Sequence, residues 1–322
     1  MEKLLVICGP TATGKTSLAL RLAKEFNGEL VSADSRQVYK GMDIGTGKDL
    51  PKGSRFTVHD SRIGGFYEIG KVKIWGYDLV SPKAKSSVVR YIRKAELIID
   101  NIWKEKKLPI LVGGTGLYIK AVVDGIPTVS VPKNENLRKS LEEKPVRELF
   151  ENLAQIDPIK AASMNFSDRK NPRRLIRAIE VAQWQLKRRP KTKKKKGKVE
   201  KDRSTLFIGL RASRRFLKQS IKQRVKARLD GGIEEEIQRL LKEGVGWEHQ
   251  SMDSLGHKQW RDYFEGKKQK SRVIKEWERQ EYKYAKRQMT WFKRNKRVNW
   301  FDIKKRGWQK KVEKLVKEWY KN

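Results

Sequence analysis

A single cysteine, Cys8, occurs among the 322 residues, so the chain forms no internal disulfide and no cysteine-based zinc site. A lone thiol suits a reducing cytoplasm, which is the expected location. Histidine is also scarce: His59, His249 and His257 stand singly, without metal-ligand spacing. No apolar run approaches the ~20 residues that a membrane-spanning helix needs. The opening MEKLLVICGP does not read as a signal peptide, because its apolar stretch is only Leu4 to Cys8 and runs into a glycine-rich loop. No internal repeat is visible. Acidic side chains are half as many as basic ones, 38 against 76.

What is present is a foldable and strongly basic chain. Hydrophobic residues make up 37%, with ten Trp, ten Phe and nine Tyr, which argues against disorder. At roughly 150 residues per domain, the length suggests two domains. The net charge of +38 repels itself and implies a polyanionic partner, nucleic acid before an anionic membrane. Residues 1–125 carry 21 basic and 13 acidic side chains, so +30 of the +38 lies beyond them. The front therefore suits a small anion and the rest a large one.

Apolar patterning places strands at Lys3–Cys8, Leu30–Ala33, Leu108–Val112 and Leu206–Leu210, with a further strand at Ile74–Val80. Helices are predicted at Thr16–Phe26 and at Ser86–Glu105, where Val88, Ile92, Ala95, Ile99 and Ile102 form one stripe. Alternation of strands and helices predicts a parallel sheet in an α/β domain. Between Asp124 and Thr205 only helical segments appear, around 137–153 and 175–186. These make 126–203 a helical insertion between core segments 1–125 and 204–322. The insertion ends in a low-complexity run, 187–203, with 11 basic and two acidic residues. From Arg215 onward the chain reads as helices, including Arg272–Arg294 and Gln309–Tyr320.

Gly9-Pro10-Thr11-Ala12-Thr13-Gly14-Lys15-Thr16 fits G-x-x-x-x-G-K-[ST], set between an apolar strand and an amphipathic helix. Its glycines let backbone N–H groups point inward, the helix N-terminus adds positive potential, Lys15 adds a full charge, and Thr16 suits Mg²⁺. Such a cradle binds a diphosphate or triphosphate without saying which group leaves. Asp34, after the second strand, is the first candidate for an acidic metal partner and Asp78 the weaker one. Asp34 and Thr115 both follow strand C-termini, where open α/β sheets place ligands.

Four further segments carry a resemblance. Asp34-Ser35-Arg36-Gln37-Val38-Tyr39, continuing through Met42, Ile44-Gly45-Thr46 and Lys48, resembles the DS-x-Q-V-Y-x-x-M-x-I-G-T-x-K segment of tRNA dimethylallyltransferases. Gly113-Gly114-Thr115-Gly116-Leu117-Tyr118 matches that family's G-G-T-G-L-Y. Arg173-Arg174-Leu175-Ile176-Arg177-Ala178-Ile179-Glu180 resembles its basic helix, and Lys286-Arg287-Gln288-Met289-Thr290-Trp291-Phe292 its K-R-Q-x-T-W-F. The motifs keep the family's order. Departures are local: Ile74–Leu79 lacks a His pair, and Gly256-His257-Lys258 stands where the family has G-Y-K.

The resemblance implies a P-loop NTPase/kinase-like core with a helical insertion and helical C-terminal part. It also implies Mg²⁺, and transfer of a dimethylallyl group from dimethylallyl diphosphate to N6 of the adenosine 3′ of the anticodon, position 37, in tRNAs reading codons that begin with U. Residues 9–16 and Arg224 would hold the diphosphate. Asp34 matches the general base, with a capping or metal role as its alternative. Thr115 would bond the diphosphate or the amine, or cap the helix at Leu117. Ser35 and Gln37 would hydrogen-bond the adenine edge, Gln37 best because an amide both donates and accepts, and Arg36 would contact the tRNA. Arg138, Arg173, Arg174, Arg177, Lys286 and Arg287 would meet tRNA phosphates. Trp277, Tyr284 and Trp291, seven apart, read as core rather than as stacking platforms. A monomer is expected. The competing reading is a P-loop kinase or ATPase with an RNA-binding appendage. A binding protein with a vestigial nucleotide site is a third. Free AMP as acceptor would leave the +30 without a purpose.

Overall fold

The structure is a computed structural model that describes residues 2–51, 53–187 and 203–321; the lysine-rich run at 188–202 lies outside the described residues. In chain order the elements begin β1 (Glu2–Cys8), α1 (Lys15–Glu25), β2 (Gly28–Ser32), β3 (Phe56–Asp60), β4 (Gly64–Ile69), β5 (Val72–Trp75), α2 (Val88–Lys104), β6 (Leu108–Gly113) and α3 (Gly116–Asp124). The helices α4 (Glu135–Glu142), α5 (Val146–Ile156), α6 (Pro158–Ser163), α7 (Phe166–Arg169) and α8 (Pro172–Lys187) follow. The chain then continues through β7 (Arg203–Arg211), α9 (Arg214–Asp230), α10 (Ile233–Lys242), α11 (Arg261–Phe264), α12 (Lys270–Phe292), β8 (Val298–Asp302) and α13 (Trp308–Lys321).

Two units result, Met1–Asp124 with Lys201–Asn322, and Gly125–Glu200. The first is built on one sheet in the order β3-β4-β5-β2-β6-β1-β7-β8. From β5 to β8 every pairing is parallel, with β1 central between β6 and β7. Side chains of β1 alternate between the two faces: Leu4 and Val6 join a core with α2, α3, α10 and α12, whereas Leu5 and Ile7 join one with α1 and α13. Burial on both faces is why these central strands read as unbroken apolar runs.

The expected all-parallel sheet needs correction at one edge. β3 and β4 form an antiparallel hairpin that pairs onto β5. Its outer strand is largely exposed, with Val58 at 72%, so it leaves no apolar signature in the sequence. The strand expected at Ile74–Val80 is Val72–Trp75 instead; Gly76 then takes φ +88, and Val80 only bridges Tyr39. At the other edge, β8 interrupts the expected run of helices. Its five residues pair only with β7, and Val298 alone is buried, too short a signal to register.

The second unit is helical. Leu149 and Leu153 of α5 pack with Leu175 and Ile179 of α8 in its core. Asn134 and Asp157 accept the N–H groups of Leu137 and Lys160 to cap α4 and α6. Among the described residues no helix is long and apolar enough to cross a membrane.

Candidate active site

The loop between β1 and α1 is shaped by close approach. Gly9 has φ +136, and a Cβ there would lie 2.4 Å from the Leu210 carbonyl oxygen, so no side chain fits. The Thr13 hydroxyl and the Lys15 ammonium both donate to the Pro10 carbonyl at 2.8 Å, which curls the loop around the lysine. Burial, and secondarily the Arg224 charge, lowers the Lys15 pKa to about 8, with Asp34 opposing. Cys8, behind the loop, is pushed up to about 12 by burial.

Arg224 of α9 reaches this loop. It donates to the Thr11 hydroxyl at 2.7 Å, to the Gly47 carbonyl at 3.1 Å and to the Asp49 carboxylate at 2.6 Å. Gln288 of α12 is a second brace, and one the sequence analysis passed over. Its buried amide accepts the Thr11 N–H at 2.8 Å and donates to the Gly114 carbonyl at 3.1 Å. It therefore ties the loop after β1 to the loop after β6. The K-R-Q-x-T-W-F motif was its signal.

The loops after β2 and β6 meet beside Asp34. Ala33 donates its N–H to the Val112 carbonyl, and Thr115 returns its own to the Ala33 carbonyl. The Ser35 N–H donates to the Thr115 hydroxyl at 3.1 Å, so that hydroxyl braces the site rather than capping α3. Asp34 Oδ1 accepts the Arg36 N–H at 2.8 Å, a turn that fixes the carboxylate's direction. Gln37 spends its amide internally, accepting from the Ser32 hydroxyl and donating to the Gly47 carbonyl, both at 2.8 Å. One amide hydrogen and one lone pair stay free of these two bonds, and Gln37 lines the cavity at the strand ends. Arg36 donates to the Gln250 carbonyl.

Asp34, Gln37, Arg224 and Gln288 line one cavity of about 970 Å³, at the C-terminal ends of the parallel strands, whereas Thr115 lies outside its lining and acts on it through Ser35. Thr11, Ala12, Gly14, Lys15 and Thr16 line it on one side, Asp34 through Gln37 on another, with Arg224 and Arg287. Gly9, Pro10 and Thr13 support the loop from behind, and Lys286 is exposed outside the lining. The aromatic heptad divides, which corrects the expectation of a core stripe. Trp277 is fully buried, Tyr284 lines the cavity, and Trp291 is 39% exposed. Burial raises the Tyr284 hydroxyl above its usual range, keeping it protonated, with the Asp34 charge adding to the effect.

For a divalent metal, the Thr16 hydroxyl and the Asp34 carboxylate share the cavity. Mg²⁺ keeps waters and takes few protein oxygens besides those of phosphates, so this donor set fits it. Among the described residues no group of three His, Cys, Asp or Glu converges. Asp78, the weaker candidate, is instead buried against the Lys48 ammonium and the Tyr67 hydroxyl.

The remaining candidates lie in the helical unit. Arg138 forms a bidentate pair with buried Glu180, at 2.9 and 2.8 Å. Arg177 joins Glu180 and donates to the Thr128 and Val131 carbonyls. Burial alone would raise the Glu180 pKa; Arg138, the Asn134 N–H and Arg177 outweigh it and lower it to about 2. These two arginines, expected at tRNA phosphates, are thus committed to a buried carboxylate. Arg173 and Arg174 are exposed, Arg174 pairing with Asp168.

A family model described as IPP transferase matches residues 37–295, and one described as isopentenyl transferase matches residues 2–58. A tRNA dimethylallyltransferase of Carboxydothermus hydrogenoformans is 37% identical over 331 residues, covering 98% of this chain and 97% of its own. One of Anoxybacillus flavithermus is 36% identical over 302 residues, covering 94% and 91%. The crystal structure of full-length tRNA isopentenylpyrophosphate transferase from Bacillus halodurans superposes with a TM-score of 0.69 at 32% identity, covering 100% of this chain and 99% of that one. A eukaryotic dimethylallyltransferase acting on tRNA shares the fold, with a TM-score of 0.76 at 22% identity, covering 98% of this chain and 78% of that one.

Proposed function

The chain belongs to the IPP transferase family, and from this we infer that its cavity holds an allylic diphosphate beside an adenine drawn out of tRNA. It is a transferase that prenylates tRNA. The donor is dimethylallyl diphosphate. The acceptor is N6 of the adenosine at position 37, next to the anticodon, in tRNAs reading codons that begin with U. The observation that carries this reading is the sharing of one cavity by the Lys15–Arg224 cradle and the Asp34 carboxylate.

In the reaction, the allylic C–O bond breaks and the carbon is taken by N6, so diphosphate leaves and N6 loses a proton. Charge grows on the departing oxygen. Lys15, Arg224 and the loop N–H groups are arranged to bind it. Mg²⁺, held through Thr16 and the diphosphate, would neutralise part of that charge. The adenine amine is a weak nucleophile because its lone pair is delocalised into the ring. Asp34 accepts its proton as the C–N bond forms. Thr115, pinned to Ser35, keeps the two strand-end loops in register around that carboxylate.

An adenine in an RNA loop is extruded more readily than one in a duplex. Exposed Arg173, Arg174 and Lys286, with Arg287 at the cavity, supply phosphate contacts. Arg138 and Arg177 serve by holding the helical unit together around Glu180. The reaction takes place in the cytoplasm, where the tRNA is. The test is transfer of label from allyl-labelled dimethylallyl diphosphate to an anticodon stem-loop with Mg²⁺, scored at the adenine.

A further inference from the structure

The segment Asp43–Gly47 gives Gly45, Thr46 and Gly47 to the cavity wall, and one carboxylate holds it in place. Glu236 Oε2 accepts the N–H groups of Asp43 and Ile44, each at 2.7 Å, and Oε1 accepts that of Gly45 at 3.0 Å. His257 Nε2 lies 2.9 Å from the same Oε1. Glu236 is 6% exposed and His257 is fully buried. Gly45 lets the imidazole close over the loop, since a Cβ there would lie 2.2 Å from the ring.

The other end of the segment faces the donor. The Gly47 carbonyl accepts from Arg224 at 3.1 Å, and Arg224 in turn reaches the Thr11 hydroxyl of the phosphate cradle at 2.7 Å. A continuous set of polar contacts thus runs from Glu236 through the loop to Arg224 and the cradle. We propose that Glu236, with His257 seated against it, is a positioning residue for the prenyl donor: it fixes the Gly47 carbonyl that aims Arg224 at the diphosphate. This rests on the assignment of the cradle as the donor site.

The chemistry of the acceptor explains why a carboxylate is needed. Three backbone N–H groups and one imidazole nitrogen converge on two oxygens. Glutamine would keep one oxygen and turn an NH₂ toward the donors, leaving at least one of them without a partner. With the loop loosened, Arg224 loses its Gly47 anchor and falls back on Asp49, which it already meets at 2.6 Å.

The experiment titrates the full-length protein with inorganic diphosphate and Mg²⁺ by calorimetry, for wild type, Glu236→Gln, Arg224→Ala and the double variant. Glu236→Gln is expected to weaken binding about tenfold, the scale of one charge-assisted hydrogen bond. The double variant is expected to bind no more weakly than Arg224→Ala, because both changes act through one guanidinium. Stem-loop affinity is expected to change by less than about threefold, because the phosphate contacts are assigned to Arg173, Arg174, Lys286 and Arg287 and not to Glu236. If Arg224→Ala leaves diphosphate binding unchanged, the donor-site assignment itself fails. If Arg224→Ala weakens binding while Glu236→Gln does not, or if the two losses add fully, the positioning role is overturned. Should Glu236→Gln not fold, His257→Gln and His257→Leu replace it. His257→Gln retains a donor to Glu236 and is expected to bind diphosphate like wild type, and His257→Leu more weakly; equal affinities overturn the proposal.

Discussion

The backbone N–H of Ser35 donates to the Thr115 hydroxyl at 3.1 Å, locking together the loops that follow β2 and β6 on either side of Asp34. Both strands are fully buried, so the carboxylate sits on rigid supports rather than on a free loop. Replacing Asp34 by Ala is therefore expected to remove proton acceptance without disturbing the platform. Single-turnover prenyl transfer should fall about 10²–10⁴-fold, the usual worth of a positioned base. Filter binding of the stem-loop should stay within a few-fold of wild type. An Asp34→Ala enzyme running at wild-type rate contradicts the assignment.

Lys15 predicts a pH dependence with a definite sign. Its pKa in the free protein is lowered to about 8, and only the ammonium form attracts a diphosphate. Donor affinity should be flat below that pH and weaken as pH rises through it, approaching tenfold per unit. Binding above pH 8 should take up a proton. Calorimetry of an unreactive allylic diphosphate analogue in buffers of different ionisation enthalpy measures both. Affinity that rises with pH through this window would contradict the picture.

Arginines of the helical unit should separate by role. Arg174 is exposed, and its replacement by Ala should weaken tRNA binding and reduce the slope of log K against log salt by about 1. Arg138 is bound to Glu180 at 2.8 Å. Arg138→Ala should lower stability and leave the salt slope unchanged. Titrations of the stem-loop at several salt concentrations, with thermal melts alongside, test the pair.

Glu180 makes the helical unit acid-sensitive. Its folded pKa of about 2 lies below the ordinary 4.5. The stabilisation is therefore complete above about pH 4.5 and is lost as pH falls toward 2. Hydrogen exchange over residues 125–187 should accelerate through that interval. Glu180→Gln should show fast exchange already at neutral pH, with a loss of about 3 kcal/mol, typical of a broken buried pair.

Much of this molecule was legible in the sequence because its signals were local. Leu4–Cys8, the glycine spacing and the apolar helix after it sit within a few residues of one another. The α2 stripe is periodic over many turns. Asp34 and Thr115 announce themselves at strand ends. What escaped was whatever depends on distant partners. Gln288 acts by joining Thr11 to Gly114. Glu236 and His257 acquire meaning only once α10 is folded against the 43–47 loop. Arg138 and Arg177 looked like phosphate ligands because their shared carboxylate, Glu180, belongs to a helix that itself reads as basic. The exposed hairpin β3–β4 and the edge strand β8 lacked the apolar pattern that marks buried strands.

The central claim is that the cradle grips a leaving diphosphate so that carbon, rather than phosphorus, is transferred. The decisive measurement incubates the protein with Mg²⁺, stem-loop RNA and two donors in parallel, allyl-labelled dimethylallyl diphosphate and γ-labelled ATP. The account requires prenyl label on N6 of the adenine beside the anticodon, with release of one diphosphate per transfer. Phosphoryl transfer or hydrolysis from ATP, with no prenyl label on the RNA, would contradict it.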